Sequence, residues 1–134
     1  MGGREEIERY IITPEKAQRY VPPRHSGTIN YLYLSPETHP GARVGVVVGS
    51  PAGPGQGGVP HYHSDAEQIV FVLSGRGLTE IEGVTREVGP GTLIYHPPGQ
   101  VHRELALTED FRVLIVYTPP IALMDPEAFH MDRT

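Results

Sequence analysis

Two histidines, His61 and His63, stand two residues apart at the entry to an apolar run. Side chains alternate along an extended chain, so both imidazoles point to one face and can converge on a single ion. The chain has 7 histidines and no cysteine among its 134 residues. That composition excludes disulfides, thiolate nucleophiles, cysteine zinc sites and iron–sulfur ligation, and leaves any metal to nitrogen and oxygen donors. His25, His39 and His130 lie in polar loop or tail segments and are read as solvated side chains. His96 precedes Pro97 and shares strand parity with Thr92 and Ile94. Two readings stay open for it: outward packing, or a cavity position as a general base or an additional ligand. Tyr31, Tyr33 and Tyr62 are read as packing, and Arg103 with Glu104 as a solvated pair.

The elements that must position these residues are strands. Gly 16 and Pro 14 fall between short runs rich in Val, Ile, Tyr and Thr, the spacing of an all-β sandwich or barrel. The expected strands are 28–34, 43–49, 68–73, 78–82, 84–88, 92–95 and 111–117. Val44, Val46 and Val48 are assigned to the interior, as are Phe111, Val113, Ile115 and Tyr117. The run 68–73 is apolar on both faces and reads as buried on both sides. Residues 50–60 hold four glycines and three prolines and read as a loop. Residues 1–27 read as an arm with one short helix, Thr13 being its N-cap and Pro14 its first helical residue. Residues 28–118 form the domain, and 119–134 a tail with one helical turn near Pro126 to Phe129.

With 11 basic against 16 acidic residues, a formal charge of -5 and a pI near 5.8, the chain lacks the basic face that nucleic-acid binding needs. No 18-residue apolar run is present, and Met1 to Arg9 has no apolar signal core, so no membrane association and a cytoplasmic location are expected. The strand at 28–34 is apolar on both faces, which predicts cover by a second copy in a homodimer or by the arm.

The stretch Gly58-Val-Pro-His61-Tyr-His63-Ser-Asp-Ala-Glu67-Gln68-Ile-Val-Phe-Val-Leu-Ser-Gly75 resembles the first signature of the cupin superfamily. Gly91-Thr-Leu-Ile-Tyr-His-Pro97-Pro-Gly99-Gln-Val-His102 resembles the second. The resemblance implies a double-stranded β-helix (jelly-roll) barrel with one divalent metal ion, Mn, Fe, Ni, Co or Zn, held by His61, His63 and His102. The family's fourth ligand is a Glu. Counting back from Gly75 across six residues reaches Gln68, whereas counting forward from His63 across three reaches Glu67. Adjacent residues face opposite sides of a strand, so one of the two is excluded. Gln68 is favoured, because a one-residue slip would turn the following strand inside out. A Gln leaves the ion its full double charge and favours anionic ligands. The family's Asn beyond the final His is Ala106 here.

These features predict a small metal-dependent enzyme acting on a small oxygenated or anionic substrate. The chemistry would be Lewis-acid cyclisation, isomerisation or decarboxylation, or else dioxygenation. A non-catalytic small-molecule-binding module is the alternative.

Overall fold

The computed structural model describes residues 3–23, 25–51, 53–123, 125, 128, 130 and 131. Among them the chain opens with a helix, α1 (Arg4–Ile7), continued by a 3-10 turn, and is otherwise β. The strands are β1 (Gln18–Tyr20), β2 (His25–Ser26), β3 (Thr28–Leu34), β4 (Gly45–Pro51), β5 (Gly57–Gly58) and β6 (Glu67–Ser74). They continue with β7 (Gly77–Ile81), β8 (Val84–Val88), β9 (Leu93–His96), β10 (His102–Ala106) and β11 (Arg112–Thr118). Two antiparallel sheets result, one in the order β1-β3-β4-β11-β6-β9 and the other β2-β5-β10-β7-β8.

Period-two alternation aims one face of each strand at a common core. Val47, Val70, Val72, Ile94, Val113 and Ile115 come from the larger sheet, and Val88 and Ala106 from the smaller. Phe111, just before β11, is fully buried among them. The 111–117 face is interior as expected, whereas on β4 the residue that joins the core cluster is Val47, with Gly49 and Pro51 on its side; of the Val44, Val46, Val48 set, Val48 is buried on the opposite face and the other two are half-buried. A valine run gives no parity signal. Only the pairing of β4 with β3 and β11 chooses the face. The strand β6 is buried on one face through Gln68, Val70 and Val72, while Phe71 and Leu73 on the other are 37% and 42% exposed.

Three expectations are corrected by short pairings. The segment starting at Thr13 is a turn, closed by Lys16 and Ala17 amides on the Thr13 and Pro14 carbonyls, and the helix lies earlier, in α1. The arm supplies a strand to each sheet: β1 pairs with β3, and β2 with β5. Strand β1 thus lies along one edge of β3, pairing that edge and leaving the outer face of β3 as it was. Residues 50–60 are partly strand, since β4 runs to Pro51 and β5 pairs with β10 through Gly57 opposite Leu105. Gly57 has φ 152° there, and a Cβ on it would come 2.2 Å from the Glu104 carbonyl oxygen, so only glycine permits that approach. The helical turn expected near Pro126 to Phe129 lies outside the described residues, Ala128 excepted. Among the described residues no helix is long and apolar enough to cross a membrane.

Candidate metal centre

Three local pairings bring the site together. His61 and His102 form an antiparallel bridge in which each backbone N–H donates to the other's carbonyl, at 3.1 and 2.8 Å. Their side chains are thereby cross-strand neighbours, with ring centroids 4.7 Å apart. Gly99, at φ 82°, turns the chain so that its N–H donates to the His63 carbonyl at 2.8 Å. Gln68 of β6 lies directly opposite His96 of β9, which sets both on the interior face. His61, His63, Gln68, His96 and His102 are all at most 5% exposed.

One ligand nitrogen from each of His61, His63 and His102 falls within 4.8 Å of the other two. Each ring is oriented by a backbone carbonyl: Nδ1–H of His61 donates to Val59 at 2.7 Å, of His63 to Ala128 at 2.8 Å and of His102 to Gln100 at 3.0 Å. A carbonyl accepts only, so Nδ1 carries the proton and the Nε2 lone pair remains for coordination. Burial holds the imidazoles neutral, lowering the pKa of His61 to about 3 and of His102 to about 4, with smaller repulsion between the histidines acting alongside. Burial lowers that of His63 as well.

Gln68 Oε1 lies 3.0 Å from His102 Nε2. Since His102 is neutral and protonated on Nδ1, two lone pairs face each other across that gap. A positive centre between them makes the contact favourable, as would a turned amide donating its N–H to His102, and three imidazoles with one amide oxygen are a donor set suited to a divalent transition metal. Glu67 projects from the opposite face and accepts a hydrogen bond from Tyr95 Oη.

His96 lies behind the cluster. Its ring stacks on His102 at 3.9 Å and 10°, Nδ1 meets Gln100 Oε1 at 2.6 Å, and Nε2 meets Glu104 Oε2 at 2.9 Å. Both nitrogens are thus engaged. Burial opposes the His96 charge, but the Glu104 hydrogen bond and charge outweigh it, and the pKa is raised. Glu104 also accepts from Thr79 Oγ1 at 2.9 Å. Burial disfavours its charge, yet His96, His102 and Thr79 together bring its pKa down to about 2. Glu104, read from sequence as solvated, has a side chain only 13% exposed and lines the cavity. Arg103 is the outward member, bridging Glu80 at 2.9 Å.

The cavity beside the cluster holds about 580 Å³ of empty space, its open mouth included, and reaches from His61 and Gln68 to Tyr20, His25 and Asn30. His25 was read as solvated, but its ring sits 6.4 Å from His61 in this cavity, and burial lowers its pKa to about 4. Its signal lay in Gly58, where a Cβ would come 2.9 Å from the His25 ring. His39 instead ties the N-terminal turn through the Arg9 carbonyl at 2.7 Å, and His130 contacts Ser64 at 3.3 Å. Tyr117 packs edge-on against His63 at 5.4 Å. The tail contributes through Ala128, whose carbonyl sets the His63 tautomer, a role no sequence pattern announced.

Comparison with known proteins agrees with this architecture. Residues 52–117 match the family described as cupin domain. The chain is 37% identical over 54 residues to SCO3923 of Streptomyces coelicolor, described as uncharacterized, covering 40% of this chain and 51% of that protein. It is 34% identical over 68 residues to MJ1618 of Methanocaldococcus jannaschii, described likewise, covering 50% and 54%. The matches thus span about half the length of these curated relatives. Among solved structures, KdgF from a Halomonas species superposes with a TM-score of 0.69 at 24% identity, covering 83% of this chain and 94% of that one. The polyketide cyclase RemF from Streptomyces resistomycificus gives 0.68 at 24% identity, covering 81% and 78%. The nucleoside dehydratase Pac13 of Streptomyces gives 0.70 at 17% identity, covering 92% and 91%. Below 25% identity these likenesses speak for the fold alone. Two antiparallel sheets around a buried three-histidine cluster, with residues 52–117 matching the family, make this chain a carrier of a cupin-type domain.

Proposed function

We propose that the protein is a metal-dependent enzyme that rearranges a small oxygenated substrate by proton transfer, as in cyclisation, isomerisation or dehydration. His61, His63, His102 and Gln68 would hold one divalent ion. Such an ion, when bound by nitrogen and oxygen donors with a position left open, polarises a carbonyl or hydroxyl oxygen as a Lewis acid. The observation that carries the reading is the Glu104 carboxylate, which faces the cavity beside His61 and Gln68 while His96 and Thr79 hold it in place. With its pKa brought down to about 2, Glu104 is a weak base, and it would take up a proton only from a substrate that the bound ion has made acidic. His96, with both nitrogens engaged and 1% exposed, acts through Glu104 as a positioning residue. The same fold carries a polyketide cyclase in RemF and a nucleoside dehydratase in Pac13.

The same reading takes the two sheets as the faces of one jelly-roll barrel and the location as cytoplasmic. It also places a homodimer contact on the outer face of β6 and β9, where Phe71 and Leu93 pair across strands at 37% and 58% exposure. The outer face of β3, whose edge β1 pairs, is the second candidate for that contact.

The test combines elemental analysis with anaerobic incubation of hydroxylated and oxo compounds in D2O, followed by NMR. One metal ion per chain is expected, together with conversion or C–H exchange without oxygen. Chelation should abolish it, and Glu104→Gln should lower it at least about 100-fold with metal retained. Conversion that consumes oxygen would replace this reading with dioxygenation. Metal-free protein that binds small molecules without converting them would replace it with a binding module.

A further inference from the structure

The wall of the cavity formed by β1 and β3 has a polar group for which neither the fold nor the metal cluster has a use. Asn30 is 5% exposed, and its Nδ2 donates to Tyr20 Oη at 3.3 Å. Its Oδ1 is buried with no hydrogen-bond partner. A buried acceptor left unmet destabilises the fold by roughly 1–3 kcal/mol, whereas an apolar residue of the same shape would not. Opposite Asn30 on β4 stands Gly49, whose missing side chain keeps the space over Oδ1 open: a Cβ there would come 3.2 Å from that oxygen. Val113 and Ile115 flank the same point, and both line the cavity. Among the described residues lining the cavity none is Lys or Arg, and the charged one, Glu104, is an anion.

We propose that Asn30 is a specificity-determining residue of this cavity, its Oδ1 receiving a hydrogen bond from an uncharged hydroxyl or N–H of the substrate. The end of the substrate that lies against β1 and β3 is then neutral and donor-bearing, with an apolar face toward Phe111, Val113 and Ile115. Carboxylate or phosphate is disfavoured at that end, because no Lys or Arg among the described residues lines the cavity to receive it and both Oδ1 and Glu104 repel it. An anionic group, where the substrate has one, belongs at the metal. This inference rests on the reading of the cavity as a substrate site and adds the chemistry of the end that lies against β1 and β3. It also gives the arm a function, since Tyr20 of β1 fixes the amide that presents Oδ1.

The test uses two probes on the purified, metal-loaded protein: resorcinol, which has two hydroxyl donors, and 1,3-dimethoxybenzene, the same ring with both donors capped. Calorimetric titration or ligand-observed NMR gives the affinity ratio. Resorcinol is expected to bind at least about tenfold more tightly. Asn30→Leu should reduce the ratio to below about 3, and Gly49→Ala, which sets a methyl against Oδ1 while keeping Asn30, should do the same. Thermal melts establish that the variants fold, and where Asn30→Leu does not, Gly49→Ala decides. Equal affinities, a ratio that survives the variants, or no binding of either probe at millimolar concentration would overturn the proposal. Metal content and turnover are measured on the same samples. An Asn30-dependent ratio in protein that neither retains metal nor turns over removes the enzyme reading alone, and turnover with a ratio near one removes this proposal alone.

Discussion

Replacing Gln68 by Glu separates the roles of the two adjacent candidates for the fourth ligand. Gln68 is 3% exposed with Oε1 3.0 Å from His102 Nε2, so a carboxylate in its place sits against three neutral imidazoles. Without metal that is an uncompensated buried charge, destabilising by about 3–5 kcal/mol at neutral pH. Unfolding entropy near 2.1 cal/mol/K per residue amounts to about 0.28 kcal/mol/K for a chain of this size, so the variant's Tm should fall by at least about 10 °C in chelator. With metal in excess the carboxylate gains its partner and the deficit should close to a few degrees. Each tenfold gain in affinity contributes about 1.4 kcal/mol. Glu67→Ala, by contrast, removes only an outward hydrogen bond from Tyr95 and should leave both melts and metal content nearly unchanged. The assay is thermal unfolding with and without Zn or Mn, paired with elemental analysis after dialysis. An equal deficit in the two conditions, or a site emptied by Glu67→Ala but full in Gln68→Ala, would show that the strand register assigns the wrong residue.

His63→Ala and His102→Ala should each lower metal content below one per chain, whereas His96→Gln should keep the metal and lose turnover. A His96 variant that empties the site would make it a ligand. The metal-free protein should lose stability as pH falls from 7 to 5. The folded-state pKa values of His25, His61 and His102, at about 4, 3 and 4, lie below the ordinary value, so the unfolded chain takes up the protons first. Each of the three contributes up to about 1.4 kcal/mol per pH unit below 6.5, with His96, whose pKa is raised, offsetting part. Urea midpoints should show the decline, and a flat profile would refute it. Leu93→Lys should convert a dimer to monomer by light scattering, and an unchanged dimer would place the contact elsewhere.

Legibility in the sequence followed the range of the interaction. Strands β3 and β8 appear at the expected bounds and β6, β7, β9 and β11 within a residue, because alternation and Gly/Pro punctuation are local signals. The strands β1, β2, β5 and β10 were not visible. In β1, β2 and β5, two or three residues such as Gly-Gly or His-Ser carry no periodicity, and they become strand only where a partner supplies the hydrogen bonds; β10, five residues long, mixes charged and apolar side chains without clean alternation. Likewise Phe71 and Leu73 looked buried because composition does not reveal which face of a sheet is covered.

The sequence by itself determined that the chemistry is nitrogen and oxygen chemistry. It has no cysteine, and the two-residue spacing of His61 and His63 commits both rings to one face. Strand parity likewise separated Gln68 from Glu67 before any contact was known. Only the tertiary structure decided what those residues meet: Glu104 turned inward onto His96, His25 and Asn30 brought in from opposite ends of the arm junction, and Ala128 reaching back to His63 across 65 residues. The reason is physical. Local alternation fixes a side chain's direction, but its burial and its partner come from chain segments packed against it, and these are set by sheet order and the closing of the two sheets over one core.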